Sequence, residues 1–598
     1  MSGHRTVSSE LEWARGLICA DARWTGYMVR SLRREFSGRC YRVIHRGNHR
    51  RDLMPAPRLG PATDGRVVLC PDMTPSDRKG RAAVGAHVGV PGADSGFAKA
   101  AGIAPCGGPM MTLARLARVV CFLCCLSVWM VRGAEPAPRL TEGEAVLAGL
   151  ADFRPVASNW TEARVLAGDP RRDAVLQPIV GAGMLVNRPT KTQRGHLFSA
   201  WEHGDVDLEL EFLLAPGSNS GVYLMGRYEV QLRDSWRVAV PGVGESGAVY
   251  SRWDGARGVG NESFEGAAPR VNAARAPGLW QTLRVEFRAP RFAPDGTKQE
   301  PARFVRVWLN GTLVQENVTI GGPTRSAAFA DEAPWGPLMI QGDHGSLAIR
   351  GLRARFPVPP PPPDPTVRVR RVPAPIVVTV PADRTILQRA FIAFPPVKRL
   401  YAAAVGTPAA LHYAYDFERG ALLRVWRGGF IDTAEMWYER GDSQLAKPLG
   451  APLDLTGKAG VALLETPAVD GWPESPGDLY ASQGYRLESD GTPVFLATLS
   501  SLQLSERFAP AAEGVGLTRT VTVEGTAASW AAFVLLAEAD QITPALGGWV
   551  IGDRAYYLDW PETSPHRPVV VTAYGRQRLV VPVGGKNPTA PVSYTLVW

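Results

Sequence analysis

The stretch Asn219-Ser-Gly-Val-Tyr-Leu-Met-Gly-Arg-Tyr-Glu-Val-Gln-Leu-Arg-Asp-Ser235 decides the fold of the first folded part of the chain. Apolar and polar residues alternate along it, which is the pattern of a β-strand with one buried face. We predict a strand over Gly221–Arg233, bent at Gly226. The residues predicted to face the core are Val222, Leu224, Tyr228, Val230 and Leu232.

Three further segments are predicted to be strands. In Asp205–Leu213 and Thr282–Arg288, apolar residues alternate with charged or polar ones, and Arg303–Leu309 is a further strand. Asn310-Gly311 follows the last segment and is a strong signal for a tight hairpin turn. Many short strands with turn residues between them predict an all-β sandwich or barrel.

The polar face of the first stretch carries Arg227, Glu229 and Gln231, spaced about 6.6 Å apart on a strand. A carboxylate between a guanidinium and an amide can grip sugar hydroxyls, but the same spacing also fits a solvated face with a salt bridge. The pattern Gly-x-Gly-x-x-Gly occurs at 242–247. It runs into a strand-like segment rather than a helix, which argues against a dinucleotide site.

The region of about residues 147–356 resembles the 3-keto-disaccharide hydrolase domain family. The resemblance rests on 219–235 and on three further stretches in the same order, Gly247–Trp253, Trp280–Pro290 and Pro337–Gly345. It implies a concanavalin-like jelly-roll sandwich. It also implies a substrate, an oligosaccharide or other glycoside oxidised to a ketone at C3.

The family's chemistry implies proton abstraction at C2, elimination from C1 and addition of water. Glu229 would be the base, His344 the acid or a second base, and Asp343 would orient His344. The other residues expected to contact substrate are Arg227, Gln231, Tyr223, Tyr250, Trp253 and Gln341. A structural turn histidine at 344 and ordinary packing of the aromatic residues are the alternatives.

Two other functions stay open at this point. Asp207, Glu209 and Glu211 lie on one strand face and loosely resemble the acids of family 16 glycoside hydrolases. A carbohydrate-binding module without catalysis would carry the same polar face. The sequence identifies no cofactor, although a jelly roll can hold a divalent cation such as calcium without a clear motif.

A proline-rich linker, 357–373, divides the chain into domains of residues 147–356 and 374–598. The second domain is predicted to be β-rich, and we assign it only an accessory role of unknown function. Its clustered aromatic residues, Trp426 and Trp437 among them, fit either a core or a sugar platform.

The N-terminal part predicts export. The net charge of +9 combines +11 before residue 134 with −2 after it, so the rest of the chain gives no support for nucleic-acid binding. Residues 110–133 read as a signal peptide, whose apolar core is too short for a stable membrane span. Residues 1–109 fit a start codon placed too far upstream, or else a disordered basic leader. With all seven cysteines before residue 126, we expect a bacterial periplasmic or secreted protein.

Overall fold

The computed structural model describes residues 137–357, 374–438, 444–466, 471–525, 530–584, 587 and 589–598. The predicted extension (1–109), the predicted signal peptide (110–133) and all of the predicted linker except Pro357 lie outside the described residues. The described part is nearly all-β, as the sequence predicts. None of its helices is long and apolar enough to cross a membrane.

Strands are numbered in chain order, and those before residue 357 form two main sheets. The smaller sheet has five strands, which in spatial order are β1 (Arg139–Leu140), β5 (Leu197–His203), β16 (Gly336–Ile340), β7 (Asn219–Leu224) and β8 (Tyr228–Arg233). The larger sheet has eight strands, namely β2 (Gly143–Leu147), β3 (Trp160–Ala167), β4 (Gln177–Asn187), β6 (Val206–Leu214), β11 (Gln281–Arg288), β14 (Ala302–Leu309), β15 (Thr312–Ile320) and β17 (Leu347–Phe356).

Two short ribbons and two single turns of 3-10 helix complete this part. The ribbons pair β9 (Arg252–Trp253) with β10 (Ser263–Phe264), and β12 (Arg291–Phe292) with β13 (Lys298–Glu300). The 3-10 turns are Leu150–Asp152 and Gly255–Arg257.

The two main sheets share one hydrophobic core. Val206, Leu208, Leu210 and Phe212 of β6 are buried in it, as their alternation predicts. The same core contains Val222, Leu224, Tyr228, Val230 and Leu232. Burying one face of each sheet against the other is what makes this pattern stable. The jelly-roll type of sandwich predicted from the sequence is confirmed.

The prediction of one bent strand over Gly221–Arg233 is wrong. The chain reverses after Leu224, and β7 pairs antiparallel with β8, with Tyr223 opposite Glu229. The turn is built on Met225 and Gly226, whose φ angles are 57° and 64°. Both lie in the left-handed region that tight hairpin turns require. The hairpin at Asn310-Gly311, by contrast, is confirmed, since it joins β14 to β15.

Residues after 373 form three sheets. The first has six strands, β18 (Val377–Val378), β19 (Ile386–Ile392), β20 (Arg399–Gly406), β21 (Leu411–Asp416), β22 (Ala421–Asp432) and β23 (Leu445–Asp454). The second has four, β24 (Val461–Leu464), β29 (Ala531–Ala539), β33 (Val569–Ala573) and β34 (Arg576–Val583). The third has eight, β25 (Tyr480–Leu487), β26 (Pro493–Leu499), β27 (Leu502–Pro510), β28 (Leu517–Glu524), β30 (Ile542–Ala545), β31 (Gly548–Ile551), β32 (Tyr556–Asp559) and β35 (Val592–Val597).

A short helix, Ala434–Tyr438, and a 3-10 turn, Ala512–Gly514, lie among these strands. Trp426 is fully buried and donates its indole N–H to the carbonyl of Phe430 at 3.0 Å, so it belongs to a core. Trp437 is 72% exposed. The two tryptophans therefore do not form one sugar platform.

The two sets of sheets meet along a polar and aromatic interface. Arg171 forms a two-pronged ion pair with Asp559, at 2.5 and 2.8 Å. Tyr557 donates to the carbonyl of Pro277 at 3.0 Å, and Trp236 donates to that of Trp598 at 2.7 Å. An ion pair and hydrogen bonds of this kind fix the relative position of the surfaces that make them.

Candidate active site

The hairpin of β7 and β8 carries a polar cluster on the face of the smaller sheet that points away from the core. Cross-strand pairing places Tyr223 opposite Glu229 and Gly221 opposite Gln231. Glu229 is only 2% exposed, and Tyr223 and Gln231 are also buried. This face is therefore not a solvated outer surface, which was one of the two interpretations that the sequence left open.

Glu229 has one satisfied and one unsatisfied carboxylate oxygen. Its Oε1 accepts from the amide of Gln231 at 3.0 Å, in the amide orientation that also lets Gln231 donate to the Ser220 carbonyl. Its Oε2 is buried and has no hydrogen-bond partner among the described residues. Buried polar atoms are nearly always paired, so an unpaired carboxylate oxygen indicates a place for a ligand atom or a proton.

The surroundings of Glu229 raise its pKa to about 8. Burial is the largest cause, because a charged carboxylate loses its hydration there, and the negative charge of Asp343 acts in the same direction. The nearby hydroxyl of Tyr223 acts in the opposite direction. A carboxyl group that titrates close to neutral pH can accept or release a proton during catalysis.

Asp343 lies close enough to this carboxylate to raise its pKa, and His344 follows Asp343 on the loop after β16. Nδ1 of His344 is 2.7 Å from Oδ1 of Asp343. The loop is fixed to β7 because Gln341 donates its backbone N–H to the Gly221 carbonyl at 2.9 Å. The side chain of Gln341 itself is buried. Half of the His344 ring is exposed, which leaves its other nitrogen accessible from outside.

His196 also lies at this site, and no pattern in the sequence predicts it. It lies just before β5, which neighbours β16 in the sheet, and its Nδ1 accepts the backbone N–H of Gly342 at 3.0 Å. Burial and the nearby His344 lower its pKa, and Asp343 opposes them. A neutral imidazole that accepts at Nδ1 carries its proton on Nε2, so it presents a hydrogen-bond donor.

A pair of buried asparagines holds the loop that carries Asp343. Asn159 donates to Oδ1 of Asn187 at 2.7 Å, and Asn187 donates to the Gly342 carbonyl at 3.1 Å. A β-carbon at Gly342 would lie 2.1 Å from the Gly195 carbonyl oxygen, so only glycine fits there. The asparagine hydrogen bonds and the close fit at Gly342 together fix the position of the loop.

Arg227 does not join this cluster. Its guanidinium donates to the backbone and side chain of Asp331, at 2.7 and 2.9 Å, and lies over the ring of Phe329. Those contacts occupy it in a structural role on the loop before β16. The sequence could not show this, because Asp331 is about a hundred residues away along the chain.

Tyr250 and Trp253 follow the hairpin on the segment leading into β9. The backbone N–H of Tyr250 donates to the Glu229 carbonyl at 3.0 Å, which places this residue at the edge of the site. Trp253 is 45% exposed, and the guanidinium of Arg325 lies 3.9 Å from its ring centroid. These residues lie at the rim of the cluster around Glu229.

The three acids of β6 are placed elsewhere, on the larger sheet. Each pairs with an arginine, and the contacts are Asp207–Arg288 (2.9 Å), Glu209–Arg284 (3.6 Å) and Glu211–Arg350 (2.5 Å). All three carboxylates are partly exposed. Ion pairing of this kind is usual on a polar sheet face. Among the described residues, no group of three or more histidine, cysteine, aspartate or glutamate side chains is arranged to hold a metal ion.

One family model matches part of the sequence. Residues 150–355 match the 3-keto-alpha-glucoside-1,2-lyase-like domain. The resemblance predicted from the sequence is thereby confirmed, and the matched segment contains every residue of the cluster around Glu229. We call the matched segment the lyase-like domain. It is a carbohydrate-active β-sandwich.

Solved structures with a similar fold also match. A candidate glycosyl hydrolase from Parabacteroides distasonis is 21% identical, and the match covers 38% of this chain and 95% of that one, with a TM-score of 0.24. The carbohydrate-binding module CBM66 from Bacillus subtilis is 10% identical, with 34% and 99% covered and a TM-score of 0.18. Both are too distant to inform the function of the lyase-like domain. No curated protein matches the chain.

Proposed function

We propose that the lyase-like domain cleaves 3-keto glycosides by elimination across C1 and C2, with Glu229 as the base. The observation that carries this proposal is the buried carboxylate with one unpaired oxygen and a pKa raised to about 8. A retaining or inverting glycosidase needs two carboxylates across a glycosidic bond. The cluster contains Glu229 and Asp343, and cleavage of an unoxidised glycoside would be the sign that they act as such a pair.

The proposed elimination begins at the C2–H bond. A ketone at C3 acidifies the C2–H bond, and Glu229 takes that proton, leaving an enolate over C2, C3 and the C3 oxygen. The electron pair then forms the C1–C2 double bond while the C1–O bond breaks. The departing oxygen takes a proton and leaves as an alcohol. Addition of water, with OH at C1 and H at C2, completes a net hydrolysis.

The other residues of the cluster supply the remaining groups. His344, whose Nδ1 lies 2.7 Å from Oδ1 of Asp343, is the candidate donor of a proton to the leaving oxygen. His196 presents an Nε2–H that can donate to the enolate oxygen, as its neutral state requires. Gln231 donates to Glu229 and so fixes its direction, and Tyr223 lies opposite Glu229 on the neighbouring strand.

Deuterium at C2 tests this route. The full chain should turn over a 2-deuterio-3-keto glycoside more slowly than the protio substrate, because the C2–H bond breaks in the elimination. In D2O, a glycoside recovered part-way should carry deuterium at C2 if the enolate returns to substrate. Equal rates with no exchange, together with cleavage, would indicate direct displacement at C1. Binding without turnover would indicate a carbohydrate-binding module.

We also propose that the protein works in the bacterial periplasm or outside the cell. The proposal rests on the basic start, apolar core and small residues of 110–133. Mass spectrometry of the mature protein from its own cells tests it. A mature N-terminus at Ala134 supports export, and peptides from residues 1–109 in the mature protein would contradict an upstream start error.

A further inference from the structure

The rim of the site carries an exposed cation stacked on an exposed aromatic ring. The guanidinium carbon of Arg325 lies 3.9 Å from the ring centroid of Trp253, within the range of cation–π contacts. Stacking uses the flat face of a guanidinium and leaves its N–H donors directed outward in the plane. Arg325 therefore presents an oriented set of donors.

Arg325 differs from the arginines around it. Arg252 pairs with Glu265 at 3.0 Å, and Arg257 lies 3.8 Å from Asp254. Within the described part of the chain, Arg325 has no carboxylate inside ion-pair distance, although its side chain is exposed. Its charge is thus available to a ligand, whereas those of its neighbours are already matched.

The backbone of Arg325 is directly coupled to the site. Its carbonyl accepts a hydrogen bond from the hydroxyl of Tyr223 at 3.2 Å, and Tyr223 lies opposite Glu229 in the hairpin. Its N–H donates to the Ser251 carbonyl at 2.9 Å, so the residue is fixed beside the segment of Trp253. A substrate ring placed against Glu229 would therefore extend its next unit over Trp253 and Arg325.

We propose that Trp253 and Arg325 form the leaving-group subsite and select glycosides whose leaving group carries a carboxylate. This inference rests on the proposed function. The carboxylate of Asp343, and that of Glu229 once it has lost its proton, disfavour an anion in the inner part of the site, so the anionic part of the substrate belongs at the rim. A carboxylate matches the fork of donors on a guanidinium, which a neutral hydroxyl does not.

Two 3-keto glucosides that differ only in their leaving groups test this subsite. One carries 4-hydroxybenzoate and the other the neutral 4-hydroxybenzamide, and kcat/KM is measured for the full chain, Arg325→Gln and Arg257→Gln. The Arg325→Gln change should lower kcat/KM for the carboxylate substrate about tenfold more than for the amide. Comparing each substrate with itself cancels the difference in leaving-group reactivity.

Arg257→Gln is the matched control, since Arg257 also lies on an aromatic ring, 3.6 Å from the centroid of Phe264, but has an acidic neighbour. It should leave the ratio between the two substrates unchanged. If Arg325→Gln and the wild type give the same ratio of kcat/KM between the two substrates, the proposed subsite is wrong. If the wild-type protein cleaves neither substrate, the proposed function itself is wrong and the subsite falls with it.

Discussion

A β-carbon at Gly221 would lie 2.1 Å from Oε1 of Glu229. The two residues are diagonal neighbours on the same face of the β7–β8 hairpin. The backbone at Gly221 is not in the left-handed region, so the glycine is needed for space rather than for its conformation. The absence of a side chain at 221 is what makes room for the carboxylate.

We therefore expect Gly221→Ala to lower kcat/KM by about 100-fold, because displacing a catalytic group by roughly 1 Å costs about that much. The measurement is turnover of a 3-keto disaccharide by the full chain. Gly242→Ala is the control, since a β-carbon there meets nothing within 4 Å and its activity should be unchanged. Full activity of Gly221→Ala would show that Glu229 is not the base.

The pH dependence of kcat/KM should follow the ionisation of Glu229. A base must be deprotonated to act, so we expect activity to rise as pH increases through about 8, the pKa of this carboxyl group. The profile is measured with a saturable 3-keto glycoside over the range in which the protein stays folded. Activity that falls across this range would instead make Glu229 a proton donor.

Tyr223→Phe should move that profile to higher pH. The nearby hydroxyl of Tyr223 lowers the pKa of Glu229, so removing it leaves burial and the charge of Asp343 to raise that pKa further. The aromatic ring stays, which keeps the packing of the hairpin. If kcat/KM falls at every pH but the profile does not move along the pH axis, Tyr223 contacts the substrate only.

Glu229→Gln should stabilise the fold at alkaline pH. Burial raises the pKa of this carboxyl from 4.5 to about 8. Between those values the folded state holds a proton that the unfolded state has lost, so the free energy of unfolding falls as pH rises through this window. Glutamine does not ionise and avoids this loss, which is about 1.4 kcal/mol per pKa unit at most.

The melting temperature of Glu229→Gln should accordingly exceed that of the wild type at alkaline pH, and the difference should shrink as pH falls toward 4.5. Calorimetry at several pH values measures it. A constant difference at all pH values would mean that ionisation of Glu229 does not contribute to stability.

The sequence predicts the layers of the sandwich better than its connections. The alternation in β6 and β11 is clear because each strand buries one face against the opposite sheet. The reversal between β7 and β8 is hidden because the turn residues, Met225 and Gly226, give a weaker signal than Asn-Gly. The spacing of a single strand therefore predicts Arg227 beside Glu229. In the structure the turn lies at this point, and Arg227 donates to Asp331 instead.

The site itself depends on contacts between distant parts of the chain. Glu229 and Gln231 could be found from their period of two, but His196 could not. It reaches Gly342 only because β5 and β16 are neighbours in the sheet although they are far apart in sequence. The raised pKa of Glu229 likewise arises from burial by residues of other strands and loops, which no local pattern reveals.

The most direct test of the central claim compares a 3-keto disaccharide with its unoxidised parent. The purified full chain and its Glu229→Gln variant are given each sugar, and the released products are followed by mass spectrometry. The elimination route predicts cleavage of the keto sugar alone, lost in Glu229→Gln. Cleavage of the unoxidised parent, or full activity without the Glu229 carboxylate, would contradict it.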